Sequence, residues 1–361
     1  MLQPLVVGLG RSGSGLHVRT LARLAGRTGS TDDPLVVLPV VGCDPRASRP
    51  RVPATPEVTV AGTLDEALEY VDPATAVAHV CTPPPLRYAL VEELAGHGFR
   101  RMILEKPSAG SLDELDALVR LRDEAGLRLM TVAHWNASRL AGRLRRLVRG
   151  GGLGRLRRIT VDQHKPRFLR SLTTDGHRSA LDVEIPHSLA LALDLAGPAE
   201  LRTAHCWDLR CEDRELPRMG GAHVELEHRS GVVTLLRSDL GAAVRQRSVV
   251  CEFDGGTATG HFPLGEDDDH AQLVIHPAEP AGRMNPPDSG GPWTGRHVFR
   301  DDALTGFMTG AYRDFLSEPV LLPAPVRPGP VDTADFALAC ATARLLCAAR
   351  EATTAAPAGR S

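Results

Sequence analysis

A chain of 361 residues with 42 Lys and Arg side chains uses lysine only twice, at Lys106 and Lys165. Arginine stays protonated at working pH, whereas a lysine can lose its proton when burial or a neighbouring cation lowers its pKa. A lysine kept in so arginine-rich a chain suggests a task that charge alone does not perform. Lys106 stands in Glu105-Lys106-Pro107, directly after the apolar run RMIL. Lys165 lies in DQHKPRF, where a strand end carrying His164, Lys165 and Arg167 can grip an anionic or polyhydroxyl substrate, or equally the segment is a solvated loop.

A second chemistry is written into VVGLGRSG. Gly8, Gly10 and Gly13 form G-x-G-x-x-G between a strand and a helix, with Arg11 and Ser12 inside the loop. The first glycine permits a tight turn, the second lets a pyrophosphate approach the backbone, and the third lets the helix pack on the strand. The helix N-terminus then offers free N–H donors and a partial positive charge to phosphate. The next strand ends at Asp44, a carboxylate placed to accept from the adenosine ribose hydroxyls and to repel a 2′-phosphate. Asp44 favours NAD, while Arg46 and Arg49 just beyond it could serve the 2′-phosphate of NADP.

Such residues need a scaffold, and the first third of the chain provides one. Apolar runs at 5–9, 36–43, 76–81, 101–105 and 128–134 alternate with helical patterns at 13–25, 64–71, 86–98 and 112–125. That alternation predicts a parallel α/β sheet. Ser111 with Glu114 three residues later, and Gly126 after the last turn, bound the fourth helix. Beyond residue 133 the pattern changes to helices over 139–149 and 188–195 followed by closely spaced strand-like segments. These are LRRITVDQH, RTAHCWDLRC, AHVELEHR, GVVTLLRSDL, RQRSVVCEF and AQLVIH, the pattern of a large, mostly antiparallel sheet. Residues 277–296 read as a long Pro/Gly loop, 301–316 and 332–350 as helices, and the tail after Ala352 as disordered. The expected domains are a Rossmann domain at 1–133, with helix 332–350 packing back on it, and an α+β substrate-binding and oligomerisation domain at 134–325.

Composition removes several function classes. A formal net charge of −2 gives no reason to invoke nucleic acid or an anionic membrane surface. No apolar run reaches the roughly 18–20 residues of a membrane span, and the N-terminus lacks a charged leader, so a cytoplasmic protein is expected. Seven cysteines without a CxxC spacing read as buried thiols, and GEDDDH (265–270) as a charged turn, so no metal is assigned.

Taken in order, GLGRSG, CTPP with Thr82 and Pro83, and ILEKP resemble the Gfo/Idh/MocA family of oxidoreductases. The resemblance extends over nearly the whole chain, including the strand-rich second domain. It implies NAD(P)-dependent hydride transfer at a secondary alcohol, commonly of a sugar or cyclitol, with Lys106 orienting and polarising the reacting hydroxyl. Glu105 would hold Lys106 and set its pKa. The family's Asp-x-x-x-His pair maps onto ALDVEIPHSLALALDLAG with His187 as the histidine. The carboxylate falls out of register: Val183 occupies its place, flanked by Asp182 and Glu184. Asp182 with His187 is favoured as the acid–base pair, and Glu184 is the alternative. Near TVAHWNASR, where the family often lines its cleft, Trp135 stands among the candidate substrate contacts.

The function so implied is an NAD(P)-dependent dehydrogenase or reductase acting on a sugar, cyclitol or aminocyclitol, in a setting such as natural-product biosynthesis. Two further readings are open: a redox-neutral epimerase, lyase or glycosidase that retains its cofactor, and a non-catalytic cofactor sensor. The large sheet leaves one face uncovered, which points to a homodimer or homotetramer.

Overall fold

The computed structural model describes residues 1–25, 34–46, 57–173, 177–265, 268–278, 295–317 and 334–355. Residues 1–134 run through β1 (Gln3–Val7), α1 (Arg19–Ala25), β2 (Val40–Cys43), β3 (Val58–Ala61), α2 (Leu64–Leu68), β4 (Ala76–Val80), α3 (Arg87–Gly96), β5 (Arg101–Leu104), α4 (Leu112–Ala125) and β6 (Arg128–Thr131). Then follow α5 (Arg139–Gly150), β7 (Leu156–His164), α6 (Phe168–Thr173), α7 (Ile185–Ala196), β8 (Ala199–Cys211), β9 (Arg214–His228), β10 (Val233–Asp239) and β11 (Gln246–Phe253). The chain ends with β12 (Gly256–His261), β13 (His270–Pro277), β14 (Gly295–Arg300), α8 (Ala303–Ser317) and α9 (Ala334–Ala355).

Two compact units result. The first comprises Met1–His134 and Leu304–Ala343, the second Trp135–Ala303 and Arg344–Ser361. The first unit carries a six-stranded parallel sheet in the order β3-β2-β1-β4-β5-β6, with the crossover after β3 that generates a dinucleotide-binding switch point. The sequence pattern contains five of these strands. It misses β3, four residues of which only Ala61 is fully buried, because so short an edge strand has no periodicity to read. Residues 36–43 are strand only over Val40–Cys43, since Pro39 has no N–H to give a neighbouring strand, and Val36 makes an isolated bridge to Leu2.

α8 belongs with the parallel sheet, although a domain running to residue 325 would place it elsewhere. Its Phe307, Met308, Ala311, Tyr312 and Phe315 share one core with Val6, Val77, Ile103 and Met130. The last helix divides between the two units at Ala343/Arg344 and continues to Ala355, past the Ala352 expected to begin a disordered tail.

The second unit holds an eight-stranded sheet ordered β14-β13-β12-β11-β7-β10-β9-β8. All its pairs are antiparallel except β7 with β10. β12 and β14 are additional to the sequence reading. Gly260 in β12 leaves room for Leu140, since a Cβ there would lie 3.0 Å from the leucine methyls. β14 begins at Gly295, inside the expected long loop; residues 279–294 of that loop lie outside the described residues. α7 is apolar nearly all round (IPHSLALALDLA) and is buried against β7 and β10, as expected of a core helix. It starts at Ile185, three residues before the predicted Ser188, because Pro186 is compatible with the first turn of a helix. That earlier start places His187 inside the first turn.

Candidate functional site

In the first unit, the predicted cofactor residues gather at the carboxyl ends of β1, β2, β4 and β5. The glycine loop is stitched to its neighbours by the backbone: Gly8 N donates to Cys43 O at 2.8 Å, and Cys81 N to Val7 O at 2.8 Å. Gly8 has φ +92°, and a Cβ there would lie 3.0 Å from the Cys81 carbonyl carbon. At Gly13 a Cβ would fall 1.9 Å from Gly8 O, so no other residue fits. A Cβ on Gly10 meets nothing within 4 Å. Two glycines thus serve close packing, and the third fronts open space where a phosphate can approach. The chain then enters a π-helical turn, Gly13–Val18, ahead of α1. Arg11 is exposed beside the loop, and Ser12 caps the turn without a side-chain hydrogen bond.

Asp44 is buried and accepts from Leu9 N at 2.8 Å, Arg46 N at 2.9 Å, and Arg46 Nε and Nη2 at 3.2 and 3.3 Å. Burial works against its charge, but these donors outweigh it and hold the carboxyl below its usual range. Arg46 is 81% exposed, so its grip on Asp44 is a surface ion pair that ribose hydroxyls could replace. Thr82 Oγ1 is buried without a hydrogen-bond partner among the described residues. The open space before Gly10, the ionised Asp44 and the orphaned Thr82 hydroxyl fit a dinucleotide.

Arg87, absent from the sequence reading, ties two of these turns together. It is buried and donates from Nη2 to Thr82 O at 2.7 Å and from Nη1 to Pro107 O. Burial draws its pKa down to about 10, against the pull of Glu105, Cys81 and Glu114. One guanidinium therefore couples the Thr82-Pro83 turn to the Glu105-Lys106-Pro107 turn, whose Lys106–Pro107 bond is cis.

Behind Lys106 lies a buried chain of side chains. Glu105 Oε2 accepts from Lys106 N at 3.2 Å, and Glu105 Oε1 meets His17 Nε2 at 3.0 Å. His17 Nδ1 meets His79 Nδ1 at 3.0 Å, and His79 Nε2 meets Tyr312 Oη at 2.9 Å. Burial disfavours the charge of Glu105, yet His17, Lys106 and Arg87 hold it down to about 2. His17 and His79 are the signal the sequence reading passed over: two histidines at positions where an amphipathic helix and an all-buried strand call for apolar residues.

In the second unit, the candidates separate into two groups. Glu184, the residue before α7, has its Oε1 paired with Lys165 Nζ and its Oε2 accepting from Gln163 Nε2 at 2.6 Å. Gln163 Oε1 in turn accepts from Ser188 Oγ at 2.6 Å, which runs the network into the turn that bears His187. The indole of Trp135 is buried and stacks between His187, at 6.1 Å between centroids, and Phe262, at 4.0 Å.

Asp182 has other partners. Its Oδ1 receives Arg350 Nε and Nη2 at 2.8 and 2.7 Å, and its Oδ2 receives the N–H groups of Arg178 and Ser179 at 3.0 and 3.3 Å. Four donors occupy the carboxylate favoured above for His187, and they fasten a turn to α9. Arg167 is also drawn inward: it is buried and donates to Ser171 Oγ at 2.9 Å, so its guanidinium packs on α6 instead of facing outward.

Elsewhere, all seven cysteines are free. Of the acidic turn at 265–270, residues 266–267 lie outside the described residues, and Asp268 accepts from His270 at 2.7 Å. Among the described residues no helix is long and apolar enough to cross a membrane.

Residues 2–134 match the model of the Gfo/Idh/MocA oxidoreductase family, with its NAD-binding Rossmann fold. No curated protein matches the chain. Its fold is similar to a UDP-N-acetylglucosamine 3-dehydrogenase from Acidithiobacillus ferrooxidans, at 18% identity over 98% of each chain and a TM-score of 0.66. The WlbA dehydrogenase from Bordetella pertussis, in complex with NADH and UDP-GlcNAcA, aligns at 18% identity over 98% of this chain and 97% of that one, TM-score 0.67. A 3-ketoreductase from Actinomadura kijaniata, KijD10, in complex with TDP-benzene and NADP, gives 16% identity, the same coverage and a TM-score of 0.69.

Proposed function

With residues 2–134 matching the NAD-binding Rossmann-fold model of the Gfo/Idh/MocA oxidoreductases, we propose that the chain moves a hydride between a nicotinamide cofactor and a secondary alcohol or ketone carbon of a sugar or cyclitol. The observation that carries this reading is the Glu105-Lys106 pair at the end of β5, fastened by Arg87 to the turn after β4 beside the glycine loop. When bound, the cofactor accepts or supplies the hydride.

The chain's own residues do the rest. Backbone N–H groups of the loop and of the first helical turn hold phosphate, and Asp44 takes the ribose hydroxyls in exchange for Arg46. Lys106 donates to the substrate oxygen and orients the reacting carbon. His187, its ring stacked on Trp135, carries the proton that leaves or joins that oxygen. Glu184 is the carboxylate of the second unit that serves substrate, through Lys165 and Gln163, while Asp182 braces the turn.

Nucleotide-linked sugars and free cyclitols are the first substrates to try, since two of the similar structures hold UDP- or TDP-linked molecules. The outer row of the large sheet, with partly buried Leu235, Thr160 and Val250, is where a second copy would pack in a homo-oligomer.

Titration of the protein with NADH and NADPH by fluorescence, followed by a sugar and cyclitol screen, tests the reading. Lys106→Ala should bind cofactor as the native chain does and lose about two to four orders of magnitude in turnover. Full turnover by that variant would exclude the proposed role of Lys106. A cofactor that co-purifies and turns substrate over without net NADH change would replace hydride transfer to substrate with the redox-neutral reading.

A further inference from the structure

The chain Glu105–His17–His79–Tyr312 has no place in the cofactor loop or in substrate contact, yet it ends on the residue beside Lys106. All four side chains are buried, and each link is 2.9–3.0 Å long. We propose that His17, oriented by His79 and Tyr312, is a positioning residue that carries a second proton inside the first unit. It takes Glu105 as its counter-ion and so keeps Lys106 available as an amine. This rests on the proposed hydride-transfer reading, in which Lys106 meets the substrate oxygen.

A neutral imidazole owns one N–H. If His79 spends its N–H on Tyr312 Oη, its Nδ1 is an acceptor, and the proton in the Nδ1–Nδ1 contact belongs to His17. His17 also donates from Nε2 to the Glu105 carboxylate. A ring that donates from both nitrogens is an imidazolium. The electrostatics agree: burial opposes charge on His17, but Cys81 and Glu105 overcome it and raise its pKa to about 10. His79 is driven well below its ordinary value by burial and by His17, and is neutral.

The charges facing the carboxylate can then be counted element by element. His17 comes from the helical turn after the glycine loop, Cys81 and His79 from β4 and its end, Arg87 from α3, Glu114 from α4, acting on Arg87, and Tyr312 from α8. Glu105 thus already neutralises an imidazolium and has a buried guanidinium nearby. A third cation at Lys106 gains little from it, and its proton is held less tightly. Without the charge on His17, Glu105 would have only Arg87 and Lys106 to serve, and would hold the Lys106 proton more tightly.

Having only two lysines makes the test direct. Full-length protein labelled with 13C-lysine gives two side-chain Cε signals, assigned by loss of one in Lys106→Arg. In His17→Gln, which keeps a donor to Glu105 but no charge, Lys106 should titrate at least about one pH unit higher, a tenfold tighter hold on its proton. Tyr312→Phe keeps the ring and frees His79 to turn its N–H towards His17, so it should shift Lys106 the same way by a smaller amount. Lys165 should stay where it is in both. A Lys106 titration that is unmoved or moves downward in the folded variants overturns the proposal; if His17→Gln does not fold, Tyr312→Phe decides. The alkaline rise of turnover should follow the same shift on any substrate found. A chain with no turnover would still show or fail to show the lysine shift, so loss of the hydride-transfer reading and loss of this one are separable.

Discussion

The two units place their polar residues by different means. In the first, the backbone does most of the positioning: strand ends, glycines without room for a Cβ and main-chain hydrogen bonds place the turns that bear Asp44, Thr82 and Lys106, and Arg87 and Glu105 then fasten those turns. In the second, side chains position side chains. Asp182 and Glu184 are two residues apart, yet one is tied to Arg350 and the other to Lys165 and Gln163. A site of the first kind tolerates surface change but not a single added methyl group at the wrong glycine. One of the second kind depends on which partner each carboxylate has, and neighbouring residues can have unrelated duties.

The largest effect should come from breaking the backbone logic. Gly13→Ala sets a Cβ against the Gly8 carbonyl, a backbone atom that cannot turn aside. Relief would require moving the helix off β1, at a cost of about 4 kcal/mol or more. The expected outcome is poorly folded protein or a low first transition in calorimetry, with no NADH binding. Gly10→Ala, by contrast, meets nothing within 4 Å among the described residues, so its melting temperature should match the native one while NADH binding weakens at least about tenfold. If both variants melt alike, the division of labour among the glycines is wrong.

The carboxylates of the second unit give the next effect and set the side-chain logic against itself. Asp182→Asn breaks a buried ion pair and leaves Arg350 poorly matched, which should cost about 3 kcal/mol and lower the melting temperature by roughly 5–10 °C. Its turnover at a temperature where it is folded should stay within about threefold of native. Glu184→Gln keeps its shape and its place beside Gln163 but loses the charge facing Lys165, and should reduce turnover about a hundredfold with a smaller change in melting. The reverse pattern, an inactive but stable Asp182→Asn, would return Asp182 to the role of acid–base partner for His187.

How much of this was legible in the sequence follows the same divide. The strand-loop-helix with its glycines, Asp44, the turn at Thr82 and Glu105-Lys106 could be read in order, because backbone demands leave residue-type signatures at fixed spacing. The short strand β3 left no such mark, and the start of α7 reads three residues late, at Ser188, because Pro186 in its first turn does not continue the apolar helical pattern. Which partners Asp182 and Glu184 take was beyond spacing, since Arg350 lies 168 positions from Asp182 and no local pattern announces it. His17 and His79 were visible as polar residues in apolar surroundings, but their partnership with Glu105 and Tyr312 depends on the fold that assembles four separate elements.

The smallest effect concerns a corner of the first unit where an exposed side chain, added to the backbone, sets the outcome. Asp44 is held from below by Leu9 N and from the side by the exposed Arg46. In the proposed reading, the ribose hydroxyls of NAD would take over the Arg46 contacts, and losing a surface ion pair costs at most about 1 kcal/mol. The 2′-phosphate of NADP would meet the Asp44 charge, and Arg46 would have to turn from the carboxylate to the phosphate to offset it. Arg46→Ala should therefore leave the NADH dissociation constant within about threefold of native and weaken NADPH roughly tenfold, as for loss of one charge-assisted hydrogen-bond partner. Equal loss for both cofactors would mean that Arg46 holds Asp44 in shape and does not read the phosphate, which would move this corner of the first unit to the side-chain-positioned kind seen in the second.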